Sequence, residues 1–181
     1  SSEKDFDGDR SATEGMAGEI EGLQAKLLAA IYAYAKDFNQ APIVYSPSAY
    51  PYWFVDTNAD GVADPAETVN ANKYKSWTAR LVKATFNYQF SVKDPGAYAH
   101  NAAYVIELLY DSIADLNTKL VTPIDLSALN RDFAGHFDGA GEAWRHWDSN
   151  GIVPASCSKC HSADGLAYFN ETGLTKDMPA S

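Results

Sequence analysis

Apolar residues recur at intervals of three and four along much of this chain, and they set the expected elements. Ile20, Leu23, Leu27, Ile31 and Tyr34 form one stripe and predict a helix over residues 14–37. Ala25, Ala29, Ala30, Ala33 and Ala35 leave room for a neighbour to pack closely against it. Ser11-Ala12-Thr13-Glu14 has capping-box spacing at its start. A second helix is expected over 70–91, with Tyr74, Trp77, Leu81, Ala84 and Tyr88 buried and Lys73, Lys75, Arg80 and Lys83 on a solvated face. Asp94-Pro95 reads as an N-cap with a first-turn proline. It opens a third helix, 95–117, with Ala102, Val105, Leu109, Ile113 and Leu116 on one face and His100 in the second turn. A short fourth helix, 139–149, is capped by Asp138 and carries Trp144 and Trp147 on one side and His146 on another.

The intervening stretches break these patterns. Residues 42–55 hold Pro42, Pro47 and Pro51 among Tyr45, Tyr50, Tyr52, Trp53 and Phe54. That density of proline excludes a regular helix or central strand and predicts an extended aromatic segment packed over the helices. Residues 118–135 read as irregular, and the last residues, Asp177 to Ser181, as closing no element.

Composition narrows the function classes. The chain has 181 residues, 46% of them apolar and 13% aromatic, enough for a real core. A formal net charge of −10 argues against nucleic acid and anionic membrane as partners. No apolar run approaches a membrane span, and the polar start, Ser1-Ser2-Glu3-Lys4-Asp5, carries no signal peptide.

Both cysteines of the chain lie in Cys157-Ser158-Lys159-Cys160-His161, the C-x-x-C-H signature of c-type haem attachment. Two thiols one helical turn apart suit the two vinyl groups on one porphyrin edge, and the adjacent His161 suits the proximal iron position. Competing readings lack support. A thioredoxin-like pair needs a βαβ pattern. A zinc site needs two more ligands, for which His136 and His146 stand at non-standard spacing. A disulfide at this separation would staple nothing. Covalent haem implies maturation outside the cytoplasm and hence a removed leader.

A second motif runs from Asp56 to Glu67. Asp56, Asn58, Asp60, Asp64 and Glu67 stand at loop positions one, three, five, nine and twelve, with Gly61 at six and the Val62 carbonyl at seven, the oxygen pattern of a calcium loop. The residues before it are not helical and Pro65 sits inside it, so a calcium clasp is expected rather than a paired hand. Asp5, Asp7 and Asp9 around Gly8 suggest another turn able to hold a cation.

The four histidines, His100, His136, His146 and His161, all follow residue 99. Met16 and Met178 lie at opposite ends of the chain, neither in a loop suited to ligation. A bis-histidine iron follows, with His100, His136 and His146 as candidates for the sixth position.

Gly135-His136-Phe137-Asp138, then Glu142-Ala143-Trp144-Arg145-His146-Trp147-Asp148, Pro154 and Cys157-Ser158-Lys159-Cys160-His161-Ser162, resembles a segment of extracytoplasmic multihaem c-type cytochromes of anaerobic and metal-respiring bacteria. Lys93 to Asn101, followed by Leu108-Leu109-Tyr110-Asp111-Ser112-Ile113, is similar to the same group. The resemblance extends over roughly residues 50–170 and departs from the group in carrying a single signature. It implies His136 as the leading distal ligand, with His100, on the long helix, as the second candidate; His146 is the third, since its place beside Trp147 also suits a structural hydrogen bond.

The expected fold is therefore mainly α: a small helical bundle with an aromatic, proline-rich extended segment, a calcium-clasp loop and a C-terminal haem-binding segment. Residues 1–130 form the scaffold and 131–181 the haem segment, packed together as one compact domain. The expected function is electron transfer by one haem c in the periplasm or outside the cell. The protein would serve redox partner proteins or extracellular electron acceptors, with a homo-oligomer in haem-to-haem contact as a further option. The alternatives are a peroxidase-like haem enzyme with an open sixth position, or a structural or sensory module stapled by haem and calcium.

Overall fold

The first helix follows from its apolar stripe. α1 (Gly15–Ala33) buries Ile20, Leu23, Leu27, Ala30 and Ile31. In the computed structural model, which describes residues 4–133 and 151–179, the chain divides into two units, Ser1–Arg131 and Asp132–Ser181. The expected helix over 139–149, with His136 and His146, lies outside the described residues. Mainly helical structure with small two-stranded sheets agrees with the expected class.

The capping box expected before α1 does not form. Glu14 is itself helical and makes no side-chain cap, while Ser11 Oγ lies 3.2 Å from Thr13 Oγ1. Gly15 is left-handed, φ 82°, so the chain enters α1 at an angle that carries Ser11 away from its first turn. A π-helical turn, Tyr34–Phe38, closes α1.

The aromatic segment is a hairpin. β1 (Ile43–Tyr45) pairs antiparallel with β2 (Trp53–Val55), Ile43 opposite Val55 and Tyr45 opposite Trp53. The Tyr45 ring centre lies 4.8 Å from that of Trp53, the rings tilted by 51°, and Tyr45 meets Tyr88 edge-on at 5.2 Å, so the hairpin packs on the second helix.

The second helix starts nine residues later than expected. α2 spans Ala79–Lys93, capped by Thr78, whose hydroxyl accepts the Leu81 N–H at 3.1 Å. Lys73 instead bridges to Phe54, and the Tyr74 N–H donates to the Trp53 carbonyl, so this stretch serves as a strand edge. Trp77, expected in the buried stripe, is 40% exposed as a result. The expected 95–117 helix is broken at Asn101. α3 (Ala97–His100) ends there, and α4 (Ala102–Asn117) begins with the Asn101 side chain accepting the Tyr104 N–H. Asparagine satisfies a helix start better than a helix interior, and here that local preference overrides the continuous stripe.

In this unit α1, α2 and α4 pack against one another. Leu23, Leu27, Phe54, Leu81, Ile106, Leu109, Ile113 and Leu116 are enclosed between them and the hairpin. Arg131 closes the unit with a two-pronged bond to Asp111, Nε to Oδ1 at 2.7 Å and Nη2 to Oδ2 at 2.9 Å.

In the second unit β3 (Ile152–Val153) pairs with β4 (Met178–Pro179). The chain end thus contributes a strand, where the composition suggested no element. Met178 is buried against this ladder because it lies opposite Val153. Two helices lie between the strands, Ala155–His161 and Ala163–Thr172. No helix among the described residues is long and apolar enough to cross a membrane.

Candidate functional site

The C-x-x-C-H run forms the helix Ala155–His161. Pro154 supplies the residue before its first turn, with φ −62° and ψ 154°, and the Asp177 carboxylate accepts the Ala155 N–H at 2.8 Å. Positions three apart lie on one helix face, so Cys157 and Cys160 share a side. Both are free thiols, Cys157 half-buried and Cys160 exposed. Ser158 is buried on the opposite side, its Oγ donating to the Ala155 carbonyl.

What presses against that inner side is the next helix. A β-carbon on Gly165 would stand 2.3 Å from the Ser158 carbonyl oxygen, so the two helices meet backbone to backbone and only glycine fits. Ser162, extended between them, caps the second helix by accepting the Gly165 N–H at 3.2 Å. Lys159 Nζ lies 5.2 Å from the centre of the Phe169 ring. The signature helix is therefore held by its Ser158 side, with Cys160 exposed and Cys157 half-buried on the cysteine side. This arrangement suits a group attached covalently at its edge. Among the described residues, no set of three metal-capable side chains gathered within 4.8 Å includes either cysteine; the zinc candidates His136 and His146 lie outside the described residues.

His100 is the one distal candidate whose side chain is described. It ends α3, is largely exposed, and its Nδ1 lies 3.1 Å from Asp94 Oδ2. Asp94 also accepts the Gly96 N–H at 2.9 Å. The His100 contact, followed by the Gly96 N–H, holds the Asp94 carboxyl below its ordinary range. The ring lies over Gly96, where a β-carbon would meet Cε1 at 2.5 Å. A carboxylate beside Nδ1 favours the tautomer with the proton on Nδ1, which leaves Nε2 as the ring's acceptor.

The Asp56–Glu67 loop follows β2 directly. Asp56 is buried, and its two oxygens accept the N–H groups of Asp60 at 3.3 Å and Gly61 at 2.8 Å. Asn58 Oδ1 also accepts the Asp60 N–H, and Asp60 Oδ1 accepts that of Val62. Ala59 and Gly61 are left-handed, φ 59° and 76°, which curls the chain around these oxygens. Glu67 is buried as well. Its Oε1 accepts the Thr57 N–H at 2.6 Å and the Thr57 hydroxyl at 2.5 Å, while Oε2 is enclosed without a hydrogen-bond partner. The Thr57 hydroxyl, foremost, holds the Glu67 carboxyl below its ordinary range. The carboxylates of this loop do not gather three within 4.8 Å of one another; the described sets that do are Asp5–Asp7–Glu19 and Asp7–Asp9–Glu14.

Glu19 was not among the residues singled out from the sequence. It is fully enclosed, and its Oε2 accepts the Phe6 N–H at 2.6 Å and the Asp7 N–H at 3.3 Å. The available signal was its place beside Ile20 on the apolar stripe of α1, where a carboxylate must find donors. An exposed apolar face on α2, comprising Val82, Phe86 and Phe90, also went unread.

A stretch of 74 residues is 42% identical to the C-type polyheme cytochrome OmcC of Geobacter sulfurreducens, covering 36% of this chain and 10% of that protein. The C-type polyheme cytochrome OmcB of two strains of the same organism matches at 40% identity over the same length and shares. Over that stretch the chain is related to multihaem c-type cytochromes. It spans about a tenth of the length of these curated relatives. No protein-family profile matches the chain, and no solved structure does.

Proposed function

We propose that this chain carries electrons outside the cytoplasm through one haem c, held by thioethers from Cys157 and Cys160 and by His161 as proximal iron ligand. The observation that carries the reading is the signature helix itself: both cysteines of the chain, as free thiols on one face of a helix that ends at the histidine. The similarity to C-type polyheme cytochromes supports it. Each thiol adds across one vinyl group, sulfur to the inner carbon and hydrogen to the outer, so no oxidant is consumed. Ser158 and Gly165 fix the inner side of the helix, so the cysteine side is set before attachment. The haem, once bound, supplies the one-electron couple.

His136 is the leading distal ligand, His100 the second candidate and His146 the third. The Asp94 contact gives His100 a carboxylate partner of the kind that ligating imidazoles use. A second histidine closes the iron to substrates, which makes the protein a carrier rather than an enzyme. With one signature in the chain, electrons pass onward to haems elsewhere, on redox partner proteins, on a second copy of the chain, or on a longer polypeptide of which this is part. The formal charge of −10 steers the surface toward basic or metal-bearing partners with a salt-dependent rate. Periplasmic or extracellular placement follows from where covalent haem attachment takes place.

Intact mass after acid–acetone extraction, paired with optical spectra of the oxidised and reduced protein, tests the reading. Retention of one haem with a low-spin spectrum is expected. A bare polypeptide mass overturns it, and a high-spin iron that binds cyanide rapidly turns it toward a peroxidase-like enzyme.

A further inference from the structure

We propose that the Asp56–Glu67 loop is a calcium site whose closing ligand is the buried, unpartnered Oε2 of Glu67. A carboxylate oxygen enclosed by protein without a donor is a costly arrangement, and native structures retain it where an ion or a water completes it. Here the surroundings favour an ion. Glu67 stands at the twelfth position of the loop, where a carboxylate takes a cation with both oxygens. The first position, Asp56, is buried as well. The remaining donors, from Asn58, Asp60 and Asp64 and the main-chain carbonyl of Val62, are oxygens as well, and a donor set made only of oxygens selects a hard cation. Calcium accepts six to eight such ligands in a flexible geometry, whereas magnesium demands a near-ideal octahedron and keeps several waters.

The loop also has a fixed frame. The Asn72 amide donates to the Val55 carbonyl at 2.8 Å and to the Glu67 carbonyl at 2.9 Å, so one side chain ties the residue before the loop to the residue that closes it. The N–H groups of Glu67 and Thr68 both return to the Asp64 carbonyl, which turns the closing segment back under the loop. Gly61 lies against the Tyr32 ring of α1, 3.6 Å from where its β-carbon would stand. A cation here would therefore fasten the hairpin end to the helical core, independently of the haem.

Calorimetric titration of the chelator-stripped full chain with calcium alone, then magnesium alone, tests the proposal. Calcium is expected to bind with a Kd of about 10⁻⁵ to 10⁻³ M, to raise the melting temperature, and to be preferred over magnesium. Glu67→Gln keeps the shape of the side chain but removes its charge, and should weaken calcium binding about tenfold or more and abolish the melting shift. Asp60→Asn, at an exposed position, should weaken binding even if Glu67→Gln does not fold. Three results overturn the proposal: no calcium heat, which would leave Oε2 to a buried water; undiminished binding in both variants; or loss of the heat on Asp5→Asn instead, which would move the ion to the Asp5–Asp7–Glu19 cluster.

Discussion

A β-carbon on Gly22 would stand 1.5 Å from Oδ2 of Asp7. The N-terminal turn is therefore pressed into α1 at a site that admits only glycine, fifteen positions along the chain. Asp7 is 5% exposed, and burial raises its carboxyl above the ordinary range. Phe6, 1% exposed, fills the core beside it, and the Asn130 N–H returns to the Phe6 carbonyl at 3.2 Å.

Gly22→Ala should lower stability by about 1–3 kcal/mol, because displacing a buried carboxylate outweighs the gain of about 1 kcal/mol from alanine in a helix. Gly18 is the control. Its β-carbon would meet only the flexible Glu14 side chain, at 2.6 Å from Cγ, so Gly18→Ala should be neutral or stabilising by up to about 1 kcal/mol. Urea unfolding of the two variants checks the contrast; equal effects would show that the turn is not docked on α1.

The limits of sequence reading are visible at these positions. α1 and the second half of the third predicted helix were legible because their stripes coincide with the buried faces, Leu23–Leu27–Ile31 and Leu109–Ile113–Leu116. The start of α2 was not, because Tyr74 and Trp77 continue the helical spacing while the backbone of Lys73 and Tyr74 serves a strand edge beside Trp53 and Phe54. Asn101 interrupts a stripe that runs unbroken through it, since a cap acts through backbone donors that periodicity ignores. The cysteine signature could be read as a motif because its five residues are consecutive, and the structure places both thiols on one short helix. The Glu19 and Gly22 contacts with the N-terminal turn depend on tertiary approach, which no local pattern encodes.

Alkaline pH should loosen the hairpin's packing on α2. Burial, and after it the nearness of Tyr45 and Tyr32, pushes the Tyr88 hydroxyl up from 10.0 to about 12. The folded chain thus keeps a proton that the unfolded chain releases near pH 10.0. Between those values the unfolded state binds fewer protons, so stability is intact below pH 10.0 and falls as pH rises toward 12. Tyrosinate absorbance should show a late-ionising class that merges with the rest in denaturant, and Tyr88→Phe should lose part of the alkaline destabilisation. A single ionisation class in the folded protein would contradict the buried placement of the ring.

The distal ligand can be decided by the spin state of the iron. With His136 as the sixth ligand, His136→Ala should convert a low-spin spectrum to high spin, while His100→Ala and His146→Ala leave it low-spin. The Asp94 contact makes a second outcome measurable. If His100 ligates, its Asp94-bound Nδ1 raises the basicity of Nε2 and favours the oxidised iron. Asp94→Asn should then raise the midpoint potential without changing spin state, whereas with His136 as ligand the same substitution leaves the potential where it was. The pair of variants therefore separates a ligating His100 from one that only closes the turn after Pro95. A low-spin protein that becomes high-spin on dilution would place the sixth ligand on another copy of the chain. In that case His100, largely exposed at the end of α3, is the described histidine able to reach across, and His100→Ala mixed with unmodified chain should give partial high-spin character in proportion to its share.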